Sequence, residues 1–153
     1  MNFEGTITVE HPRDAVWDFV LDIDKFSDCM PGLDSVDRID DTTFDGVISA
    51  KVGPMSGKFN FRSTITDSNP KEALTVKIEG NDSVTKSTVI AGVDAIMAEP
   101  RENCTELKYK AQVEIKGRLA IVGDMILRAT TSLILEEFRK RLTKALDDQA
   151  AKA

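Results

Sequence analysis

Residues 3–9 alternate, with Phe3, Gly5, Ile7 and Val9 set against Glu4, Thr6 and Thr8, and this period of two predicts a strand. The pattern then changes. His11-Pro12 closes the strand; Pro12 suits a first helical turn, where its missing N–H costs nothing, and Asp14 suits the positive end of the helix dipole. Ala15, Val16, Phe19 and Val20, with Trp17, predict a short amphipathic helix. Residues 22–30 predict a second, with Ile23, Phe26, Cys29 and Met30 along one side and Pro31-Gly32 as its stop. The period of two returns from residue 33. Strands are predicted over 33–39, 43–52, 58–66, 73–79, 84–98 and 105–115, separated by turns rich in Asp, Asn, Gly and Pro. In 58–66, Phe59, Phe61, Ser63 and Ile65 face one way and Lys58, Asn60, Arg62 and Thr64 the other. In 105–115, Leu107, Tyr109, Ala111, Val113 and Ile115 oppose Glu106, Lys108, Lys110, Gln112 and Glu114. The stretch 84–98 is the least regular and is expected to bulge or break near Gly92.

Residues 117–147 carry helical spacing without a proline and predict one helix of about 45 Å. In its second half Leu133, Ile134, Phe138, Leu142, Ala145 and Leu146 form one face, and Glu136, Glu137, Arg139, Lys140, Arg141 and Lys144 the other. The first half is apolar most of the way round: Leu119, Ile121, Val122, Met125, Ile126 and Leu127, interrupted by Asp124 and Arg128. A helix apolar on every side is expected to be buried on more than one. Its second face meets either a hollow for an apolar ligand, further core, or a partner molecule.

The order is therefore one strand, two short helices, six consecutive strands and one long helix. Turns of two to five residues require antiparallel neighbours. A sheet with one apolar face needs a cover, and only the long helix is large enough. This predicts a single α+β domain over residues 1–149, a curved antiparallel sheet of about seven strands wrapped on the C-terminal helix. Small residues on the inward rows (Gly46, Ala50, Ser63 and Ala111, with Gly92 and Gly123 nearby) leave room. Met30, Met55, Met97 and Met125 come from four segments; converging, they would form an adaptable apolar lining, and otherwise they tune core packing.

Composition narrows the chemistry. With 41% hydrophobic and 30% charged residues the chain is an ordinary globular one of 153 residues, long enough to bury about two-thirds of its unfolded surface. Its net charge of −6 argues against nucleic-acid binding, which needs clustered Lys and Arg. Two cysteines, Cys29 and Cys104, make no framework and no CxxC, as in a cytoplasmic protein with reduced thiols. No signal peptide or membrane-spanning run is expected. The single histidine, His11, reads as a surface or loop residue, so a His-based metal site is not expected. The aspartates at 22, 24 and 28 and at 34, 37, 40 and 41 match no calcium loop and read as solvated faces. Cys29 has no neighbouring base, and no phosphate loop, dinucleotide fingerprint or nucleophile elbow is present. Neither a cofactor nor a catalytic group is predicted. Asp124 and Arg128, four apart, are either an ordinary helix pair or the polar groups that orient a ligand's head.

Several stretches resemble a known family. Ile7-Thr8-Val9-Glu10-His11-Pro12-Arg13-Asp14-Ala15-Val16-Trp17, Asp28-Cys29-Met30-Pro31-Gly32, Lys51-Val52-Gly53-Pro54-Met55 with Lys58-Phe59, and the passage over 113–119 look like the helix-grip fold of the START/polyketide cyclase/birch pollen allergen (SRPBCC) superfamily, and within it the CoxG family of carbon monoxide dehydrogenase proteins. The proline-led start of the first short helix is shared widely; the Met-Pro-Gly and Val-Gly-Pro stretches together are more specific. The resemblance covers essentially the whole chain. It implies a hydrophobic cavity between helix and sheet and a binding or delivery role beside a molybdenum hydroxylase, coupling it to the membrane or its quinones. Longer members carry a C-terminal extension for membrane attachment; this sequence reaches Ala153 without one, so a cytoplasmic protein with at most peripheral contact at the inner face of the cell membrane is expected.

Three readings follow. The first is a non-enzymatic carrier of a lipid or quinone-like molecule, with Met30, Phe61, Met97, Tyr109, Val122, Met125, Ile126 and Arg128 lining its cavity. The second is an enzyme of the cyclase or aromatase kind, for which the inward rows offer only Ser63, Tyr109 and Arg128 as polar groups. The third is an interaction module whose helix docks a partner or forms a homodimer.

Overall fold

A computed structural model describes residues 1–152. In chain order the elements are β1 (Asn2–Val9), α1 (Arg13–Leu21), α2 (Ile23–Cys29), β2 (Leu33–Arg38), β3 (Thr43–Val52), β4 (Met55–Asn69), β5 (Ala73–Asp82), β6 (Ser87–Arg101), β7 (Cys104–Lys116), a 3-10 turn (Arg118–Val122) and α3 (Asp124–Ala151). The strands form one antiparallel sheet in the order β1-β7-β6-β5-β4-β3-β2. Consecutive strands from β2 to β7 pair through short turns, and β1 closes onto β7 at the far edge. The seven-stranded sheet, the two short helices and the long last helix are as the pattern predicts.

Three expectations need correction. First, residues 117–147 are not one helix. Gly117 (φ 96°) and Gly123 (φ 95°) lie where a Cβ is strongly disfavoured, and they bracket a 3-10 turn. A Cβ on Gly117 would also strike the Lys86 carbonyl. The regular helix starts at Asp124 and is about 42 Å long at 1.5 Å per residue. Second, β6 runs unbroken through Gly92, which pairs with Lys77 and Gln112. The irregularity falls between Ala98 and Arg101, where Pro100 has no N–H to offer the ladder. Third, the first half of the long helix is not buried all round. Leu119 and Leu127 are inside, whereas Ile121 and Met125 are exposed. Leu133 is also exposed, so the inward face of α3 is Leu127, Thr131, Leu135, Phe138, Leu142 and Leu146.

A buried polar knot fixes the 3-10 turn. Asp82 accepts from the Lys58 and Val84 amides and the Thr85 hydroxyl, at 3.0, 2.9 and 3.0 Å. Thr85 reaches Ser87 Oγ at 2.9 Å, and Ser87 Oγ accepts from the Leu119 amide at 3.0 Å. The Asp82 carboxyl is held below its ordinary range, chiefly by the Lys58 amide. At the other end of the molecule α2 packs on α3, Phe26 against Phe138 with ring centroids 5.4 Å apart. Asp22 caps α2 by accepting from the Asp24 and Lys25 amides. His11 lies in the loop after β1, as expected, with its Nε2 2.7 Å from Asp147 on the last turns of α3.

Candidate functional site: a gap between two cores

The apolar interior is divided in two. One core joins Ile7, Val9, Val16, Trp17, Phe19, Met97 and Leu107 to Phe138, Leu142 and Leu146 of α3. The second, at the opposite end of α3, joins Val52, Phe59, Leu119 and Leu127. Between them Phe61, Ser63, Ile78, Val93, Ala111 and Val113 on the inward rows belong to neither core and are half-buried, while Phe44 and Ala91 beside them are buried. The same holds on α3: its inward face is buried at Leu127 and from Phe138 on, and half-buried at Thr131 and Leu135 between them.

The predicted lining residues fall into different places. Met30, Met97 and Tyr109 pack in or against the first core, and Val122 against the second. Phe61 stands in the gap. Ile126 is 37% exposed and lies against Gly53 at the tip of the β3–β4 hairpin. Met125 is 84% exposed and turned to solvent. Arg128 is at the rim, paired with Asp124 at 2.8 Å and with its guanidinium 5.8 Å from the Phe3 ring centre. The four methionines therefore do not converge: Met30 and Met97 serve one core, Met55 the other, and Met125 neither. The room left by Gly46 is taken by the Phe61 ring, which a Cβ there would strike. Tyr109 lies across Gly5 in the same way. Ser63, Val93 and Ala111 are the small or branched residues left facing the gap.

Charge is scarce in this region. Burial raises the Tyr109 hydroxyl's pKa, and the Glu136 carboxylate adds to that effect; the phenol stays neutral at ordinary pH. The Cys29 thiol is pushed up by burial first and then by the charge of Asp28, so it carries little thiolate and suits packing rather than nucleophilic attack. The molecule's large open groove, about 790 Å³, is on the other side of the sheet. Its walls are the outward rows Asp37, Asp45, Arg62 and Glu79, and Asn60, Asn81, Thr88 and Lys116. Arg62 donates twice to Asp45, at 2.7 and 2.8 Å, which holds that carboxyl below its usual range. Val47 and Ile90 add apolar surface to these walls, and the groove is not the volume expected under the helix.

A long helix laid over the inner face of a seven-stranded antiparallel sheet, with two short helices after the first strand, is the helix-grip architecture of START-like proteins. The sequence matches the CoxG family, described as a component of carbon monoxide dehydrogenase, over residues 5–147. The chain belongs to that family. No curated protein matches it. Among solved structures, a conserved protein from Geobacillus kaustophilus is 22% identical with a TM-score of 0.89, the match covering 97% of this chain and 96% of that one. The Zhui aromatase/cyclase from Streptomyces sp. R1128 is 12% identical, TM-score 0.75, over 98% and 95%. A START superfamily protein from Mycobacterium smegmatis is 13% identical, TM-score 0.70, over 97% and 98%. At these identities the likeness establishes the fold. Among the described residues no helix is long and apolar enough to cross a membrane.

Proposed function

We propose that this protein is a non-enzymatic, cytoplasmic carrier of an apolar molecule, quinone-like or lipid, held between α3 and the sheet, and that it serves a molybdenum hydroxylase as its family name suggests. The observation that carries the reading is the division of the core. Apolar side chains that face a covering helix yet keep contact with water are what an unfilled space between the two would leave. Protein interiors otherwise close to crystal-like density, and buried apolar clusters stand at both ends of α3. Phe61 of the predicted set, joined by Ser63, Ile78, Val93, Ala111 and Thr131, would line the space, and Met125 and Arg128 drop out of it. Affinity would come from burying ligand carbon, about 25 cal/mol per Å² before ordering costs. An aromatase-like reaction would need titratable groups converging inside. Of the expected trio, Arg128 stays at the rim and Tyr109 alone brings a titratable hydroxyl near the gap.

The test fills the space. Ala111→Trp should keep the fold and lose the guest. Solvent extraction of the purified wild-type protein should release an apolar molecule visible by mass spectrometry, and a short-chain quinone should bind the emptied protein. Wild-type protein that yields no such molecule and takes up no quinone would sink the carrier reading; uptake unchanged in Ala111→Trp would move the site elsewhere. A quinone or polyketide recovered chemically altered would favour the enzyme.

A further inference from the structure

The sheet has two free edges, β1 and β2, and they are built differently. β2 is guarded. It spans six residues, its register on β3 shifts between Leu33 and Ser35, and Asp34, Asp37 and Arg38 stand exposed along it. Short length, a bulge and charge are how natural sheets keep an edge from pairing. β1 has none of these. Its eight residues pair with β7 in unbroken register, contain no proline and carry one charge, Glu4. What this edge offers follows from one pair of bonds. Met1 and Val113 exchange both main-chain hydrogen bonds, each at 2.8 Å. Hydrogen-bonded pairs alternate along an antiparallel ladder, so Phe3, Gly5, Ile7 and Val9 also turn their N–H and C=O to β7. Asn2, Glu4, Thr6 and Thr8 turn theirs outward. All four residues are exposed, and no other main-chain group among the described residues bonds to them.

We propose that the β1 edge takes a second copy of this chain, the two β1 strands pairing antiparallel about a two-fold axis at Gly5. With the axis there, Asn2 of each copy faces Thr8 of the other and Glu4 faces Thr6. Every outward N–H and C=O of the strand then has a partner. Gly5 meets Gly5 in a non-hydrogen-bonded pair, where Cα atoms approach to about 4.5 Å. A residue without a Cβ suits that approach, and the Tyr109 ring already covers Gly5 from its own chain. On the inward row Phe3 of each copy faces Ile7 of the other, an aromatic and β-branched pair of the kind that stabilises sheets. On the outward row Glu4 faces Thr6, beside which stands Lys108 on β7. The carboxylate therefore approaches a cation and opposes no like charge. The axis is perpendicular to the sheet, so both α3 helices cover the same side and the two sheets continue as one. An extended segment of another protein could use the same row of bonds, but it would make no use of a glycine at the axis. The interface rests on the strand edge alone and does not depend on the carrier reading.

The experiment is sedimentation equilibrium of the full chain. It should show a monomer–dimer equilibrium in the micromolar range, as suits a small interface. Thr6→Pro and Thr8→Pro should each weaken it by about tenfold or more, since each removes one main-chain bond per copy. In the monomer these N–H groups face solvent, where an edge strand tolerates proline, and circular dichroism checks that the fold is kept. Asp37→Lys on β2 and Leu133→Ser on α3 should leave the dimer unchanged. Thr6→Cys should be joined by a short bismaleimide, the two positions lying about 7–8 Å apart on a diagonal, and Ser35→Cys on β2 should not. Cys29 and Cys104, both 2% exposed, do not compete for the reagent. Amide exchange adds a signature that needs no variant: with rising concentration it should slow at Glu4, Thr6 and Thr8 and stay as it is at Gly5 and Ile7. A one-chain mass at every concentration up to about 1 mM overturns the proposal. So does a dimer that keeps its affinity in both folded proline variants, or exchange that slows along β1 without alternation. A dimer lost in Asp37→Lys or in Leu133→Ser also overturns it, and assigns the interface to β2 or to α3.

Discussion

Ser87 shows how one small polar side chain can decide where a segment ends. It is 1% exposed, and its hydroxyl is the partner that holds the Leu119 amide under the 3-10 turn. Ser87→Ala leaves that N–H buried and unpaired, which should cost about 1–3 kcal/mol in denaturant unfolding at pH 7. Asp82, one link further, gives the knot a pH dependence. Its folded carboxyl is held below the ordinary value, so the native state binds fewer protons than the unfolded chain near the ordinary carboxylate pKa. Its stabilisation is then complete above that range and is lost as pH falls through and below it. Asp82→Asn should therefore show a smaller loss of melting temperature between pH 7 and pH 3 than the wild type does. An identical pH response in both would mean that other carboxylates set it. None of this is legible in the sequence. Asp82, Thr85 and Ser87 look like any polar turn, and only the arrival of Leu119, 32 residues later, makes them a unit.

Elements are legible to the extent that one period governs them. The strands carry a clear alternation, and their short turns leave one topology to choose. The long helix is harder, because its apolar residues obey a helical spacing on both sides of a break. Gly117 and Gly123, either side of five residues of 3-10 turn, with Asp124 at the new first turn, are the available signal. In a sequence a glycine can stand for space or for punctuation, and here it is punctuation. Gly46 shows the converse, since its missing Cβ accommodates the Phe61 ring instead of leaving a void. Methionine carries no period and so no direction, which is why four of them suggest a shared lining that the fold does not build. The two faces of α3 should separate cleanly in mutants. Leu142→Ala, at 1% exposure, should cost about 2–5 kcal/mol. Met125→Ala, at 84%, should stay within about 0.5 kcal/mol, although both residues lie in the same helix. Thermal or denaturant unfolding of the pair checks both values.

At the scale of the molecule, family membership and fold agree with the sequence reading, while the site is only half visible there. The sequence can say that one helix faces a sheet; it cannot say that the buried side chains gather in two separate clusters at its two ends. That depends on where Phe59 and Leu119 meet at one end and on how Phe26, Trp17 and Phe138 gather at the other. A divided core also changes how the protein comes apart. Cooperative units tend to follow contiguous packing, and here there are two, bridged by the sheet's hydrogen bonds and by a single helix. Amide exchange should show the Phe138–Leu146 stretch of α3 protected to the level of global unfolding. The turn at 118–122 and the first turns of α3 should exchange sooner, through an opening that leaves the far end intact. If both ends exchange at one common rate, the molecule opens only as a whole. If they differ, one end can act as a door while the other serves as its frame, and the space proposed under the helix can open without the protein unfolding.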